Sequence, residues 1–415
     1  MNNVRAALAF AALFVMTGAG ARAQEGPTPV PMRIEMEAPE VDMDGDAAEV
    51  PFRLVGNLIL VDVAAGAGEQ PQPFILDTGT TMTLVDASAV DVPPGNKVGV
   101  AKMVGPGGES EIALVKLDRI AVGGARLVGA TAASGDLAAI RRMTGLEIAG
   151  LLGQDFLRNF VVEIDYDAST VTFHDPAAFE DPAEVEFVPA RMGGGPPVVE
   201  MTVGGHTGGF VVDLGNRSAV VFDEGYVAEH DMINEAEPKL PAVLMGAGGA
   251  APKPLAAHLA RMDGLTIGSY EVRGPVVVLP ELSDSPMTCG LGLTGNVGFG
   301  VMSRFTLCLD YPGGRLGLAP GESFDAPFDY DRSGILLRPA AGHYVVEKVV
   351  PASPAEKLFA VGDKVTAVNG RPAAEVAAPE WARLRSGPAG TVLELTVERG
   401  DGSVEDVSLR LTELL

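Results

Sequence analysis

The stretch "PFILDTGTTMTLVD", residues 73 to 86, decides the fold of this chain. Its first apolar residues end at a single carboxylate, Asp77, and polar residues follow at once. An ionised acid is costly to bury unless hydrogen bonds hold it or a proton neutralises it, so an acid at the end of a core-like strand needs a chemical role. One short motif is a weak signal. Its interpretation therefore depends on whether the chain contains a partner acid.

A second copy of this pattern lies downstream. The stretch "GGFVVDLGNRSAVVFDE", residues 208 to 224, has an apolar strand, Asp213, a glycine at Gly215 and a second apolar strand. Two further pairs of blocks repeat: "LDRIAVGG" (117–124) with "MDGLTIGS" (262–269), and "GLLGQDFLRNFVVEIDY" (150–166) with "GNVGFGVMSRFTLCLDY" (295–311). The equivalent positions share an offset of 145 residues: Asp118 with Asp263, Gly123 with Gly268, Gly153 with Gly298, Phe160 with Phe305, and Asp165-Tyr166 with Asp310-Tyr311. A shared offset over separated blocks indicates two homologous halves.

Composition favours a mainly β protein and excludes two classes of partner. The chain has 415 residues, of which 47% are hydrophobic, so it is long enough for two or three compact units. Its 52 glycines and 31 prolines favour short strands joined by tight turns. The formal charge of -25 repels nucleic acid and anionic lipid, and we expect neither as a partner.

The N-terminal residues have the pattern of a secretory signal. An arginine is followed by an apolar run from Ala7 to Met16 and by an A-x-A site that ends at Ala23. We expect residues 1–23 to be a signal peptide and residues 24–48 to be a flexible segment. No later stretch reaches about 18 uninterrupted apolar residues, so we expect no membrane span and a periplasmic or secreted protein.

At this point the sequence resembles the retropepsin-like and pepsin-like aspartic proteases. The run Asp77-Thr78-Gly79-Thr80 matches their Asp-Thr/Ser-Gly-Thr/Ser signature, and Leu151-Leu152-Gly153 matches their apolar-apolar-Gly element. The resemblance spans roughly residues 50 to 320. It implies two homologous β lobes, residues 49–182 and 183–320, that form a bilobal cleft. No tyrosine lies between Asp77 and Tyr166, so a symmetric, two-flap arrangement of the retroviral type fits better than a single tyrosine-bearing flap.

By this resemblance Asp77 and Asp213 form a catalytic pair. Peptide hydrolysis by paired acids needs one ionised carboxylate to activate water and one protonated carboxyl to bind the scissile carbonyl. Two acids held close together share one proton. The expected supporting residues are Thr78, Gly79, Thr80, Gly215 and Asn216. The glycines permit tight turns, and Thr80 or Asn216 can donate to the outer carboxylate oxygen. The five histidines are scattered singly, and we expect no metal and no cofactor.

Glycine-rich turns occur about where each lobe would carry a flap. The flap candidates are Gly107 and Gly108 in the first half and Gly248 and Gly249 in the second. The alternative is that both stretches are ordinary hairpin turns.

The second half departs from the signature at Leu214 and Asn216, where the family has hydroxyl residues. Leu214 removes one of the two hydroxyls that cross-link the active-site loops beneath the acids. The departures leave two hypotheses open: an aspartic endopeptidase acting on peptides or unfolded proteins, with Leu214 packed inward, or a catalytically degenerate secreted peptide-binding protein. In a third, Asp77 pairs with its copy in a homodimer. The internal duplication argues against this third hypothesis, and we expect a monomer.

The two cysteines, Cys289 and Cys308, are expected to form a structural disulfide, because disulfides persist outside the cytoplasm. The alternative is two buried free thiols. Neither cysteine has a histidine nearby in the pattern of a metal site or a nucleophile.

A third unit is expected after an acidic, Pro- and Gly-containing linker at residues 321–332. Residues 333–415 resemble a bacterial-type PDZ domain. The resemblance implies that Ser333, Gly334, Ile335 and Leu336 bind the carboxylate of a C-terminal peptide, while the helix near Trp381 walls the groove. Such a module would recognise a substrate or a partner. The alternatives are that the linker occupies this edge or that the module is only a packing cap.

Overall fold

The computed structural model describes residues 38–68, 70–105, 108–193, 195–246, 253–282 and 292–415. These residues form sheets of eleven, fifteen and six strands with a few short helices, so the predicted mainly β fold class is confirmed. Within the described residues, no helix is both long enough and apolar enough to cross a membrane.

Fourteen strands and two helices make up the part of the chain that we call the first half. They are β1 (Glu40–Met43), β2 (Ala47–Pro51), β3 (Arg53–Val55), β4 (Leu58–Ala65), β5 (Gln72–Leu76), β6 (Leu84–Asp86), β7 (Lys97–Gly105), β8 (Gly108–Lys116), β9 (Arg119–Val122), β10 (Ala125–Val128), β11 (Thr131–Gly135), α1 (Ala138–Thr144), β12 (Gly150–Leu152), α2 (Gln154–Leu157), β13 (Val161–Asp165) and β14 (Thr170–His174). A 3-10 turn covers Pro94–Asn96.

The second half has twelve strands and three short helices. They are β15 (Glu186–Arg191), β16 (Val198–Val203), β17 (His206–Val212), β18 (Val220–Phe222), α3 (Glu224–Glu229), α4 (Met232–Glu235), β19 (Lys239–Gly246), β20 (Lys253–Arg261), β21 (Gly264–Ile267), β22 (Tyr270–Arg273), β23 (Val276–Pro280), β24 (Gly295–Val297), α5 (Phe299–Met302), β25 (Phe305–Asp310) and β26 (Arg315–Pro320).

The two halves share one strand order. The first half runs β4-β5-β12-β6-β11-β8-β7, and the second runs β16-β17-β24-β18-β23-β20-β19. The parallel pairs also correspond, because β12 lies parallel to β5 as β24 does to β17. The sequence repeats therefore fall on equivalent strands, and each acid follows an equivalent strand, Asp77 after β5 and Asp213 after β17.

A sheet shared by both halves joins them. Strand β13 pairs antiparallel with β25, so that Val162 lies opposite Leu309. On the neighbouring strand β14, Val171 and Phe173 are buried and the residues between them are partly exposed, which is the two-residue alternation of a strand with one face on a core. Buried residues of both halves belong to one hydrophobic core. The halves are thus fixed to each other by hydrogen bonds as well as by packing.

The prediction that residues 24–48 form a flexible segment is wrong for the last part of this range. Strand β1 pairs with β10, and β2 pairs with β14. These two strands supply partners for the N–H and C=O groups that would otherwise be unpaired at the sheet edges. The first strand of the described residues thus begins at Glu40. The predicted signal peptide, residues 1–23, lies outside the described residues.

The predicted linker, residues 321–332, packs against the second half. Arg304 Nη1 donates to three of its carbonyl oxygens, those of Ser323 (3.2 Å), Phe324 (2.9 Å) and Ala326 (2.6 Å). The Arg304 guanidinium also stacks on the buried Phe328 ring, 3.8 Å from its centroid. The segment is therefore held in place by a cation and not extended as a solvated spacer.

The C-terminal module has its own sheet and core. Its elements are β27 (Ile335–Ala340), β28 (His343–Val349), β29 (Lys364–Val368), β30 (Arg371–Pro372), α6 (Ala378–Arg385), β31 (Val392–Glu398) and β32 (Val404–Arg410), with 3-10 turns at Pro354–Lys357 and Ala373–Glu375. The sheet order is β27-β28-β29-β31-β32, and Trp381 of α6 is buried in the core.

Tyr330 joins the module to the rest of the chain. Its hydroxyl donates to the Glu413 carboxylate (2.8 Å) and accepts from the N–H groups of Leu414 (2.7 Å) and Leu415 (3.2 Å). The Leu414 and Leu415 side chains pack against the core shared by the two halves. The linker and the last residues of the sequence therefore form one junction.

We expect Tyr330→Phe to destabilise this junction by about 1–3 kcal/mol, because it removes the three hydrogen bonds of the Tyr330 hydroxyl, one of them to a carboxylate. The matched control is Tyr311→Phe, since the buried Tyr311 hydroxyl has no hydrogen-bond partner among the described residues. Its removal should leave the free energy of unfolding unchanged or raise it. Urea denaturation followed by the fluorescence of Trp381, the single tryptophan, measures both. Equal losses in the two variants would contradict the junction.

Candidate active site

The loops that follow β5 and β17 bring Asp77 and Asp213 together. A Cβ placed on Gly215 would lie 2.7 Å from Asp77 Oδ1, and one placed on Gly79 would lie 2.7 Å from Asp213 Oδ1. Each carboxylate thus packs against the glycine of the opposite loop. Neither glycine has a left-handed φ angle. Both glycines lie in turns, as expected, and they are also required because any side chain there would separate the acids.

The surroundings of Asp213 shift the pKa of its carboxyl group. Burial raises the pKa of Asp213, and the neighbouring Asp77 carboxylate and a hydrogen bond between the two carboxyl groups raise it further. Hydrogen bonds from Asn296 and Gly215 lower the same pKa but do not cancel the rise. Two acids held this close titrate as a pair, and the raised pKa of Asp213 favours one shared proton between them.

Asp77 is held by its own loop. Thr80 Oγ1 donates to Asp77 Oδ2 at 2.6 Å, and the Gly79 N–H donates to Oδ1 at 2.8 Å. The acid is 9% exposed. The Thr80 hydroxyl therefore donates to the outer carboxylate oxygen of Asp77, as the sequence predicted.

Asp213 is held by a different set of groups. The Gly215 N–H donates to Oδ1 at 2.8 Å, but the donor to Oδ2 is Asn296 Nδ2, at 2.7 Å. The Asn216 side chain makes no hydrogen bond to the Asp213 carboxylate in the described structure; its amide donates to Asn296 Oδ1 at 2.9 Å. The predicted role of Asn216 is corrected to that of a positioning residue for Asn296.

Sequence reasoning missed Asn296, although a signal for it was present. At the offset of 145 residues Asn296 is equivalent to Leu151 of the apolar-apolar-Gly element. A polar side chain in a strand that is otherwise apolar and buried needs a hydrogen-bond partner, and the nearest repeated acid supplies one.

The loops beneath the acids are cross-linked from one side. The buried Thr78 hydroxyl donates to Val212 O (2.7 Å) and accepts from the Leu214 N–H (2.9 Å). Leu214 is 2% exposed and packs into the shared core. Leu214 therefore packs inward, as the hypothesis of an active endopeptidase requires. Among the described residues of these two loops, the Thr78 side chain makes the bridge, through hydrogen bonds to the backbone of the second half.

The flap candidates lie on two equivalent hairpins. Gly108 begins β8 opposite Gly105, and Gly107 lies outside the described residues. Gly248 and Gly249 also lie outside them, in the connection between β19 and β20.

The predicted carboxylate-binding stretch of the C-terminal module has fewer free donors than expected. Strand β27 lies at the edge of its sheet, but Ser333 is fully buried. The Ser333 N–H and hydroxyl both donate to Asp331 Oδ1, at 3.0 and 2.5 Å. Gly334 has a left-handed φ of 73° and packs against Ser353, Ile335 is buried, and Leu336 is partly exposed. Ser333 therefore offers no free backbone donor to a ligand, because Asp331 already occupies it.

The predicted disulfide finds no support in the structure. Cys308 is a free, fully buried thiol among the described residues, on the central strand β25, and Cys289 lies outside the described residues. Burial raises the pKa of the Cys308 thiol to about 12, which keeps it protonated. No group of three or more metal-ligating side chains comes together in the described part of the chain.

Two family models match separate parts of this chain. Residues 61–156 match the model of an aspartyl protease, and residues 345–399 match that of a PDZ domain. These matches confirm the resemblance to aspartic proteases with a C-terminal PDZ domain, and they support a protease with a PDZ module. Among solved structures, the crystal structure of aspartic proteinase from Irpex lacteus is similar, with 14% identity, a TM-score of 0.43, and coverage of 68% of this chain and 98% of that one. No curated protein matches the chain.

We expect Asn296→Leu, which copies the residue of the first half, to raise the pKa of Asp213 further, because the ionised form loses a hydrogen bond. The titration midpoint should move upward by about one pH unit or more. Carboxyl ¹³C NMR of aspartate-labelled protein measures it. Asn234→Leu is the matched control, since Asn234 is exposed and donates to Asp231. An unchanged Asp213 midpoint in Asn296→Leu would show that this amide does not tune the pair.

Proposed function

We propose that this protein is an aspartic endopeptidase that hydrolyses peptides or unfolded proteins, with Asp77 and Asp213 as the acids that activate water. The observation that carries the proposal is the contact of each carboxylate with the glycine of the opposite loop, 2.7 Å from the position of a Cβ. The aspartyl protease match over residues 61–156 supports it. The signal-like residues 1–23 support a periplasmic or secreted site of action.

The raised pKa of Asp213 supports its role as the acid that holds the shared proton. Asp77, which is held by the hydrogen bonds of Thr80 and Gly79, is then the base. The carboxylate of Asp77 takes a proton from water as the water oxygen bonds to the scissile carbon, and Asp213 gives its proton to the carbonyl oxygen. The C–N bond then breaks as the nitrogen takes the proton from Asp77, and the hydroxyl formed on the carbonyl oxygen returns its proton to Asp213.

The second candidate function is peptide binding without hydrolysis. Leu214 favours it, because the second loop lacks the hydroxyl that normally completes the cross-link. The Thr78 bridge and the Asn296 contact favour the enzyme, since they hold both acids by other means. One chain supplies both acids, so catalysis needs no second copy.

Asp77→Asn and Asp213→Asn should each reduce cleavage of an unfolded protein more than about 100-fold, because each removes one partner of the proton exchange. Cleavage by the purified chain between pH 3 and 8, with and without a statine-type inhibitor, measures this, and circular dichroism verifies the fold. Asp118→Asn is the matched control, since Asp118 is exposed and lies in the turn between β8 and β9. Activity retained in Asp213→Asn would overturn the assignment, and a chain inactive at every pH would support the binding protein.

We expect Leu214→Thr to lower both stability and activity, because it places an unpaired hydroxyl in an apolar contact at a cost of about 1–3 kcal/mol. Leu214→Val is the matched control, since valine has the shape of threonine without the hydroxyl. Thermal unfolding and kcat/KM measure the two variants. A large gain of activity in Leu214→Thr from an inactive parent would mean that the second loop is degenerate.

A further inference from the structure

Arg217 lies beside the acids at the junction of the two halves. It follows Asp213 by four residues on the same loop. Its Nε donates to the carbonyl oxygen of Gly56 in the first half at 2.6 Å, and Asn57 Nδ2 donates to the Arg217 carbonyl oxygen at 3.1 Å. The turn between β3 and β4 in the opposite half therefore binds this arginine through hydrogen bonds. The Arg217 side chain remains partly exposed.

The charge of Arg217 has no counter-ion within the described part of the chain. Three other arginines there, Arg126, Arg315 and Arg399, are each paired with two carboxylates. Burial lowers the pKa of Arg217, and no acid opposes that effect. A partly desolvated cation without a counter-ion is costly. In a protein of net charge -25, an arginine without a carboxylate partner beside the cleft therefore needs a chemical explanation.

The equivalent position in the first half is uncharged. Thr81 follows Asp77 by four residues and is exposed. The two sides of the pair thus present different groups, a neutral hydroxyl on one side and a fixed guanidinium on the other. A substrate strand lying across the pair would meet a positive charge on one side only.

We propose that Arg217 is a specificity residue that binds the side-chain carboxylate of an aspartate or glutamate in the substrate. This inference rests on the proposed protease function. Gly56 O occupies Nε and fixes the plane of the guanidinium, which leaves the terminal amino groups to donate to a carboxylate in fork geometry. An extended substrate advances about 3.4 Å per residue, so the acidic residue lies within about three residues of the scissile bond.

The test uses peptides that differ only in carrying Glu or Gln at one of the three positions on either side of the scissile bond. Wild-type protein should cleave the Glu peptide with a kcat/KM about tenfold or more higher at one of these positions, because only Glu gives charge-assisted hydrogen bonds. Arg217→Gln should abolish this ratio, and Arg217→Glu should favour Lys at the same position. The matched control is Arg273→Gln, an exposed arginine on β22, which should keep the ratio. A wild-type ratio near one, or a ratio that survives in Arg217→Gln, overturns the inference.

A binding arm separates failure of this inference from failure of the proposed function. The same Glu and Gln peptides are made with a statine unit at the scissile position, and their Kd values are measured by calorimetry. If the chain cleaves no peptide, the proposed function fails, but a Glu preference in Kd that is lost in Arg217→Gln still supports the arginine site. Equal Kd values for Glu and Gln peptides overturn the arginine site even when cleavage is observed.

Discussion

The close approach of two carboxylates is the constraint on which the rest of the structure depends. Each acid packs against the glycine of the opposite loop, so no side chain separates them and they must share a proton. Such an arrangement is unfavourable unless both loops are rigid. The Thr78 hydroxyl supplies one restraint, because it bonds to the backbone on both sides of Asp213. The pairing of β13 with β25 supplies another, because it joins the halves in one sheet.

The two halves meet this constraint with different chemistry. The hydroxyl of Thr80, three residues along the same loop, holds Asp77, whereas an amide on a distant strand, itself held by Asn216, holds Asp213. In a symmetric homodimer every substitution appears on both sides of the pair. A duplicated chain has no such restriction, so one loop keeps Thr78 while the other buries Leu214 in the core. The two acids are therefore held by different donors, although each packs against the glycine of the opposite loop.

Local signals explain how much the sequence could predict. The acids, the repeat and the mainly β class could be predicted, because strand alternation, glycine placement and a constant offset can be recognised over short stretches of sequence. The role of Asn296 was not, since it lies 83 residues from Asp213 and its contact exists only in the folded sheet. Residues 40–48 were mispredicted for the same reason: their partners, β10 and β14, are remote in sequence. At Ser333 a neighbouring acid, Asp331, took the donor that was expected to be free.

The position of the C-terminal module relative to the acids follows from a continuous series of contacts. Linker carbonyls bind Arg304, whose Nε donates to Gly300 O in α5 at 2.9 Å. At the start of α5, the Phe299 N–H donates to the carbonyl oxygen of Asn216 at 2.9 Å, and Asn216 holds the amide that binds Asp213. The module is thus attached to the half that carries Asp213. A peptide bound by the module would be tethered to the same chain as the cleft, which raises its local concentration there only when its length matches the distance between the two sites.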